Sequence, residues 1–179
     1  MVLLRCPCGE KNLKRPEGWQ FQTFEVLPGL FIAKRLVEPH GFASLGVDAI
    51  VALDDWEYTW SPPVPENHLY VHFPIDDADT VDHKTRQVVR PVADLVRGGH
   101  RVLVHCVRGL NGSGIVVARA LMFLGYSAAE AIDLVRLRRG LDEGSGALGN
   151  KRFVEWLLLE EAGAEGGPAQ PDQPRSRRR

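Results

Sequence analysis

Hydrophobic residues fall along the chain in two kinds of run. Short apolar runs bounded by Gly, Pro or Asp are typical of buried strands, and they lie at 24–26, 30–33, 47–53, 69–73 and 101–105. Longer stretches with helical spacing predict helices, at 39–45, 83–96, 115–124, 127–139 and 151–162. Because strands alternate with helices, we expect an α/β fold with a central, mostly parallel sheet flanked by helices.

The length of 179 residues suits a single domain. Residues 1–20 lack a hydrophobic period and contain Pro and Gly, so we interpret them as a flexible amino-terminal lead. Residues 163–179 are rich in Gly, Pro, Gln and Arg, a composition typical of a disordered tail. The folded domain is therefore expected to occupy residues 21–162.

The charge is nearly balanced, with a formal net value of −1. Each terminal segment carries a net +2, so residues 21–162 carry −5. This balance excludes a protein that binds nucleic acid through bulk positive charge. An acidic body also means that any attraction for an anionic ligand must come from local groups.

The three cysteines are Cys6, Cys8 and Cys106. An odd count argues against a disulfide framework, and no second Cys/His pair has zinc spacing, so no metal site is predicted. The longest apolar run, 115–124, is interrupted by Arg119 and is too short to cross a membrane. With no signal peptide in the first residues, we expect a cytoplasmic protein without a membrane partner.

The strongest chemical signal is the segment VLVHCVRGLNGSG, residues 102–114. It predicts a buried strand, a glycine-rich turn and a buried helix. In such a turn the backbone N–H groups converge on one point, and the helix N-terminus adds positive potential there. Cys106 begins the turn, where its thiolate would be stabilised for attack on phosphorus. Ser113 is placed to donate a hydrogen bond to the sulfur as it leaves.

This segment resembles the cysteine-dependent protein tyrosine and dual-specificity phosphatases. Their signature is His-Cys-x-x-Gly-x-x-Arg-Ser/Thr, and here His105, Cys106, Gly109 and Ser113 stand in register. The flanking apolar strand and helix are also similar. The resemblance extends over about residues 24–160 and implies a phosphatase-like single-domain fold of bacterial type.

The resemblance implies hydrolysis of phosphate monoesters through a Cys106 thiophosphate, with Ser113 assisting and His105 orienting the loop. The substrate would be a phosphorylated protein or a small phosphate ester. No cofactor is implied, because nucleophile, acid and anion cradle all belong to the chain. The loop that would hold the phosphate consists of Val107, Arg108, Gly109, Leu110, Asn111 and Gly112.

One signature position differs, because Gly112 stands where the family has arginine. That guanidinium grips two phosphate oxygens and stabilises the transition state. Arg119 is almost two helical turns further on, and Arg108 occupies a variable position that points outward in the family. We therefore expect the backbone cradle to remain and the activity to be reduced.

A carboxylic acid must protonate the leaving oxygen and later activate water. In similar bacterial sequences it follows a Phe-Pro-Ile-x-Asp element, which appears here at residues 73–77 and selects Asp77. Asp76 and Asp79 are the neighbouring alternatives. An acidic loop that merely faces solvent is the competing interpretation.

Other polar and aromatic residues allow two interpretations. Asn150, with Phe153 and Trp156, resembles an element that backs the active site in similar sequences, but also fits a helix cap followed by core aromatics. His72 is expected to be structural. Three arginines near the end of a predicted helix would complement its dipole without binding a ligand; they are Arg136, Arg138 and Arg139.

Three functions follow from these residues. The first is a phosphatase that retains hydrolysis through Cys106 and Asp77. The second is a catalytically inactive, phosphatase-like protein that binds a phosphorylated partner, as Gly112 suggests. A third is redox sensing, with Cys6 or Cys8 forming a disulfide with Cys106.

Overall fold

The computed structural model describes residues 23–36, 42–54, 63–77, 81, 83–142 and 145–164. The predicted lead 1–20, with Cys6 and Cys8, lies outside these residues, as do Asp79 and the end of the chain from residue 165. The predictions for those segments therefore stay predictions. Among the described residues, no helix is both long enough and apolar enough to cross a membrane.

The elements follow the predicted order. The strands are β1 (Thr23–Leu27), β2 (Leu30–Lys34), β3 (Ala49–Ala52), β4 (Leu69–His72), β5 (Val102–Cys106), β6 (Leu141–Asp142) and β7 (Ser145–Gly146). The helices are α1 (Phe42–Leu45), α2 (His83–Arg97), α3 (Gly112–Phe123), α4 (Ala128–Arg139) and α5 (Lys151–Ala164).

Three differences from the predicted elements matter for the site or the domain end. Helix α3 begins at Gly112, three residues earlier than expected, so Gly112 and Ser113 lie in its first turn. The predicted loop 140–149 contains the small antiparallel hairpin β6–β7. Helix α5 continues to Ala164, two residues past the predicted helix end at residue 162.

The main sheet has five strands in the order β1-β2-β5-β3-β4. Strand β1 is antiparallel to β2, and the other neighbours are parallel. The prediction of a central, mostly parallel sheet is therefore confirmed. Strand β5 lies in the middle, and Cys106 at its end is paired with Lys34 of β2. Chemistry at the carboxyl end of a central parallel strand is the usual arrangement in open α/β sheets.

Both faces of the sheet are covered by apolar side chains. The larger cluster includes Val104 and the apolar side of α3, with residues of α2, α4 and α5. The smaller cluster lies on the other face and includes Leu103 and Phe42 of α1. Helix α3 is buried along most of its length, as its all-round apolar sequence predicts. The segment that follows Cys106 is thus anchored between a central strand and a central helix.

Candidate active site

Cys106 ends β5, and the chain then makes a five-residue loop before α3 begins. Its side chain is largely buried, with 8% exposure. The Cys106 Sγ lies 3.2 Å from Ser113 Oγ, in hydrogen-bond contact. The two residues are therefore joined as the sequence pattern predicts, with the sulfur at the N-terminal turn of a buried helix. This position places the thiol in the positive potential of the helix N-terminus.

Gly109 lets the loop cross close to the neighbouring strand. Its φ is +67°, and a Cβ built there would lie 2.5 Å from the carbonyl oxygen of Ala33 in β2. A side chain would thus meet both the strain of left-handed backbone and a collision with main chain. The loop shape depends on glycine at this position.

A cavity of about 550 Å³ opens above Cys106. The loop lines one side, Ile75 to Asp77 after β4 line another, and β7 with Gly149 lines a third. Its lining includes Asp54, Asp76, Asp77, Cys106, Arg108 and Gly112. The nucleophile and acid candidates therefore share one cavity, whereas Asp79 lies outside the described residues.

Asp77 is held by two asparagine amides. Asn111 Nδ2 donates to one carboxylate oxygen at 2.7 Å, and Asn150 Nδ2 donates to the other at 2.8 Å. The Asn150 backbone N–H also donates to Asn111 Oδ1 at 3.2 Å. We call these three residues the amide clasp. It joins the end of the segment after β4, the start of α5, and residues 107–112, which we call the phosphate loop after their predicted role.

Asn150 combines the two roles that the sequence left open. Its amide contacts Asp77, and its Oδ1 accepts from the Arg152 backbone N–H at 3.0 Å, as a helix cap does. Phe153 is buried in the core, and Trp156 packs against it at partial exposure. One turn of sequence therefore serves both the site wall and the core.

Gly112, at the arginine position of the signature, contributes no side chain to the cavity. A Cβ on Gly112 would lie 3.4 Å from Cys106 Cβ and 3.7 Å from Sγ, which are ordinary contact distances. Arg119 pairs with Glu160 at 3.1 Å and stacks on Phe123, so it is engaged away from the loop. Arg108 is exposed on the cavity wall.

Arg139 has a position that the sequence analysis missed. Arg139 lies at the end of α4, as predicted, but it is only 2% exposed and is bonded to loop carbonyls. Helical spacing would have found it, because Arg139 continues the buried stripe of α4 that includes Ala128, Ile132 and Val135. Arg136 likewise contacts main chain, donating to the Leu148 carbonyl at 3.1 Å.

The imidazole of His105 is fully buried on the face of the sheet opposite Ser113. Neither ring nitrogen has a hydrogen-bond partner among the described residues, and the orienting role stays a prediction. Burial lowers the pKa of His105 to about 4, against an opposing effect of Asp54, whose Oδ1 lies 3.6 Å away. The ring is therefore neutral at pH 7 and does not act as a cation beside the loop.

Asp54 is a further carboxylate at the site, beside Asp76 and Asp77, and is almost fully buried. Arg35 Nε donates to its Oδ2 at 2.9 Å, and His72 Nε2 lies 2.8 Å from its backbone carbonyl oxygen. His72 thus has the structural contact expected of it. Because buried carboxylates are costly without a partner, the Arg35 pair is what allows Asp54 to stay there.

The chain matches no family model and no curated protein. Solved structures, in contrast, match along most of its length. Human DUSP28 aligns with a TM-score of 0.63 at 23% identity, over 80% of this chain and 95% of that one. Tk-PTP in its active form aligns at 0.60 and 26% identity, over 77% and 94%. Human tyrosine phosphatase-like serine/threonine/tyrosine-interacting protein aligns at 0.60 and 20%, over 82% and 99%.

These similarities define the fold as that of the cysteine-dependent phosphatases. The chain is a single α/β domain with the fold of the dual-specificity and tyrosine phosphatases, as the resemblance of residues 102–114 predicts. The fold alone does not assign the chemistry of the site, where Gly112 stands at the arginine position of the signature.

Proposed function

We propose that this chain is a phosphatase-like protein that binds phosphate monoesters at residues 106–112 and hydrolyses them slowly. The observation that carries the proposal is the contact of 3.2 Å between Cys106 Sγ and Ser113 Oγ at the start of α3. Asp77 faces the same cavity. The nucleophile Cys106, the Ser113 hydroxyl that donates a hydrogen bond to its sulfur, and the acid Asp77 are then within reach of one bound ester.

In the first step the Cys106 thiolate attacks phosphorus. A sulfur–phosphorus bond forms, the bond to the ester oxygen breaks, and the leaving alcohol takes a proton from Asp77. In the second step Asp77 accepts a proton from water as the water attacks phosphorus. The sulfur–phosphorus bond breaks, inorganic phosphate is released, and Ser113 stabilises the sulfur that leaves.

The loop and the start of α3 supply the phosphate cradle. Their backbone N–H groups carry partial positive charge and need no cationic side chain to hold an oxyanion. Gly112 removes the guanidinium that would also bind the transition state. Losing one preorganised donor of this kind costs roughly 10²–10³ in rate, so binding is expected to be affected less than turnover.

The alternative is a protein that binds a phosphorylated partner without turnover, and Gly112 is the observation that favours it. One of the similar structures carries the name of a phosphatase-like interacting protein. In this alternative the backbone cradle is the functional feature. Cys106 and Asp77 then contribute contacts to the ligand rather than chemistry.

The proposed ligand is a phosphorylated protein or a small phosphate ester in the cytoplasm. The acidic rim formed by Asp76 and Asp77 makes a polyanion such as nucleic acid a poor fit for the cavity. The mechanism calls on no metal or organic cofactor, because every group it uses belongs to the chain.

Turnover of p-nitrophenyl phosphate tests the two functions. The native chain is compared with Cys106→Ser and Gly112→Arg. A Cβ at position 112 would meet its neighbours at ordinary contact distances, so the substitution causes no collision at that atom. Leu137→Arg is the matched control, since it adds the same charge at a position that is 77% exposed on α4. We expect slow turnover by the native chain and none by Cys106→Ser. Turnover should increase in Gly112→Arg but not in the Leu137→Arg control.

Each pattern has a distinct meaning. A silent native chain with an active Gly112→Arg variant supports the binding protein. Native turnover that persists in Cys106→Ser contradicts the thiophosphate route. A folded Gly112→Arg variant without activity contradicts the placement of Gly112 at the arginine position of the signature.

A further inference from the structure

Arg139 contacts the phosphate loop from the side opposite the cavity. Its Nε donates to the Gly109 carbonyl at 2.9 Å, and its Nη2 donates to the Arg108 carbonyl at 3.0 Å. The guanidinium also stacks on Phe24 of β1, with Cζ 4.5 Å from the ring centroid. The side chain is buried and does not line the cavity.

These two contacts fix the orientation of two successive peptide groups. A trans peptide is planar, and its N–H points opposite to its C=O. The carbonyls of Arg108 and Gly109 point back toward Arg139, so the N–H groups of Gly109 and Leu110 point away from it, toward the cavity side. Consecutive N–H groups turned the same way form an anion-binding concavity.

We propose that Arg139 is the positioning residue of the phosphate loop. Its fork holds the two carbonyls at the back, and its charge polarises the same peptides so that their N–H ends bind an anion more strongly. The family arginine would bind the anion from the cavity side of the loop, where this chain has Gly112. Arg139 instead acts from the opposite side of the loop, through its peptide groups. This inference rests on the proposed function, because it concerns the same anion site.

The surroundings make the role specific to arginine. The fork needs two parallel donors, which lysine lacks. Phe24 provides a flat surface that favours a stacked guanidinium. Gly140, at φ +68°, ends α4 directly after Arg139 and turns the chain away. The last residue of α4 is therefore held under the loop by its helix, by β1 and by its own fork.

Calorimetric titration with inorganic tungstate tests the proposal on Arg139→Met and Arg139→Lys. Arg119→Met is the matched control, because Arg119 is also partly buried and stacks on an aromatic ring, at 4.6 Å, but contacts no loop residue in the described structure.

We expect affinity to fall about tenfold or more in both Arg139 variants, as for a lost charge-assisted hydrogen bond. The Arg119→Met affinity should equal that of the native chain. Native affinity in both folded Arg139 variants, or an equal loss in Arg119→Met, would overturn the proposal.

A crystal structure of Arg139→Lys without added anion gives an independent answer. We expect at least one of the peptides 108–109 and 109–110 to rotate, so that its carbonyl no longer faces the rear of the loop. An unchanged loop would overturn the positioning role even if the native chain binds tungstate. Failure of the native chain to bind tungstate, with a rotated peptide in Arg139→Lys, would instead overturn the proposed function and leave the positioning role supported.

Discussion

Asn111 donates to Asp77 across 2.7 Å, so the residue directly before Gly112 is bonded to the predicted acid. This contact links two parts of the site that are 34 residues apart in the chain. The loop 107–112 therefore carries, in Asn111, a side chain that holds the proposed acid, and it directly follows the proposed nucleophile Cys106.

Replacing Asn111 by Ala is expected to impair leaving-group protonation. Asp77 would lose one of its two amide donors and become less well placed over the cavity. General acid catalysis contributes typically about 10²–10⁴ in rate, and we expect a partial loss, about tenfold in kcat, for phenyl phosphate. A nitrophenyl ester needs little protonation, so its kcat should change much less.

Asp77→Asn is the reference for this experiment. It should show the same dependence on the leaving group, and the double variant should be no worse than Asp77→Asn alone, because the two residues act as one unit. Equal losses for both esters in Asn111→Ala would show that Asn111 acts on the loop rather than on the acid.

Ser113→Ala is expected to slow the second chemical step. The hydroxyl contacts the sulfur at 3.2 Å and can stabilise it as it leaves phosphorus. With a slower second step, the thiophosphate should accumulate, and stopped-flow mixing should show a burst of nitrophenol followed by a steady rate roughly tenfold or more lower.

Ser127→Ala is a matched control for this substitution. Ser127 caps α4 in a capping box with Glu130 and does not line the cavity. Its loss should cost about 1 kcal/mol of stability and leave the turnover unchanged. A single-phase time course for Ser113→Ala with a native rate would remove Ser113 from the mechanism.

Local sequence patterns predicted most of the fold because each pattern has a local physical cause. The apolar run before Cys106 and the all-round apolar helix after it could belong only to the interior. The capping box at Ser127 fixed the start of α4, and the spacing of the signature placed Ser113 beside Cys106. These features depend on neighbours within a few residues.

The amide clasp and the loop partners of Arg139 depend on contacts between distant segments, which no local pattern specifies. Asn150 lies 73 residues from Asp77, and Arg139 lies 30 residues from Gly109. Arg139 was missed because it was interpreted together with Arg136 and Arg138 as one charged group at a helix end. Those two arginines are exposed, whereas Arg139 lies on the buried stripe of α4. That the His105 ring has no hydrogen-bond partner among the described residues was missed, because the resemblance implied a role in orienting the loop.

Gly109→Ala is expected to disrupt the loop. The new Cβ would lie 2.5 Å from the Ala33 carbonyl oxygen, at a φ of +67°. Left-handed backbone costs an alanine about 1–2 kcal/mol, and the collision adds to that cost. Urea unfolding should therefore show a free energy of unfolding lower by more than about 2 kcal/mol, together with lost tungstate binding.

Gly99→Ala separates the two causes, because Gly99 has φ +86° with nothing within 4 Å of the added Cβ. It should lose only the strain energy and keep its binding. Equal losses in the two variants would contradict the close approach of the loop to β2.

Stability is expected to fall as the pH drops from about 6.5 toward 4. Burial lowers the pKa of His105 from 6.5 to about 4, so in this range the unfolded chain takes up a proton that the folded chain does not. Each pH unit then costs up to about 1.4 kcal/mol, or about 2 kcal/mol at pH 5. Asp54 opposes this shift, and His72 and Arg35 reinforce it.

Urea unfolding at several values between pH 7.5 and 5 measures this dependence. His105→Leu should flatten the profile over this range, whatever its effect on stability at neutral pH, because the titrating ring is gone. His100→Gln changes an exposed histidine on the turn before β5 and should keep the native slope. A native slope in His105→Leu would mean that another group carries the pH dependence, and that the His105 ring is not held neutral by the fold.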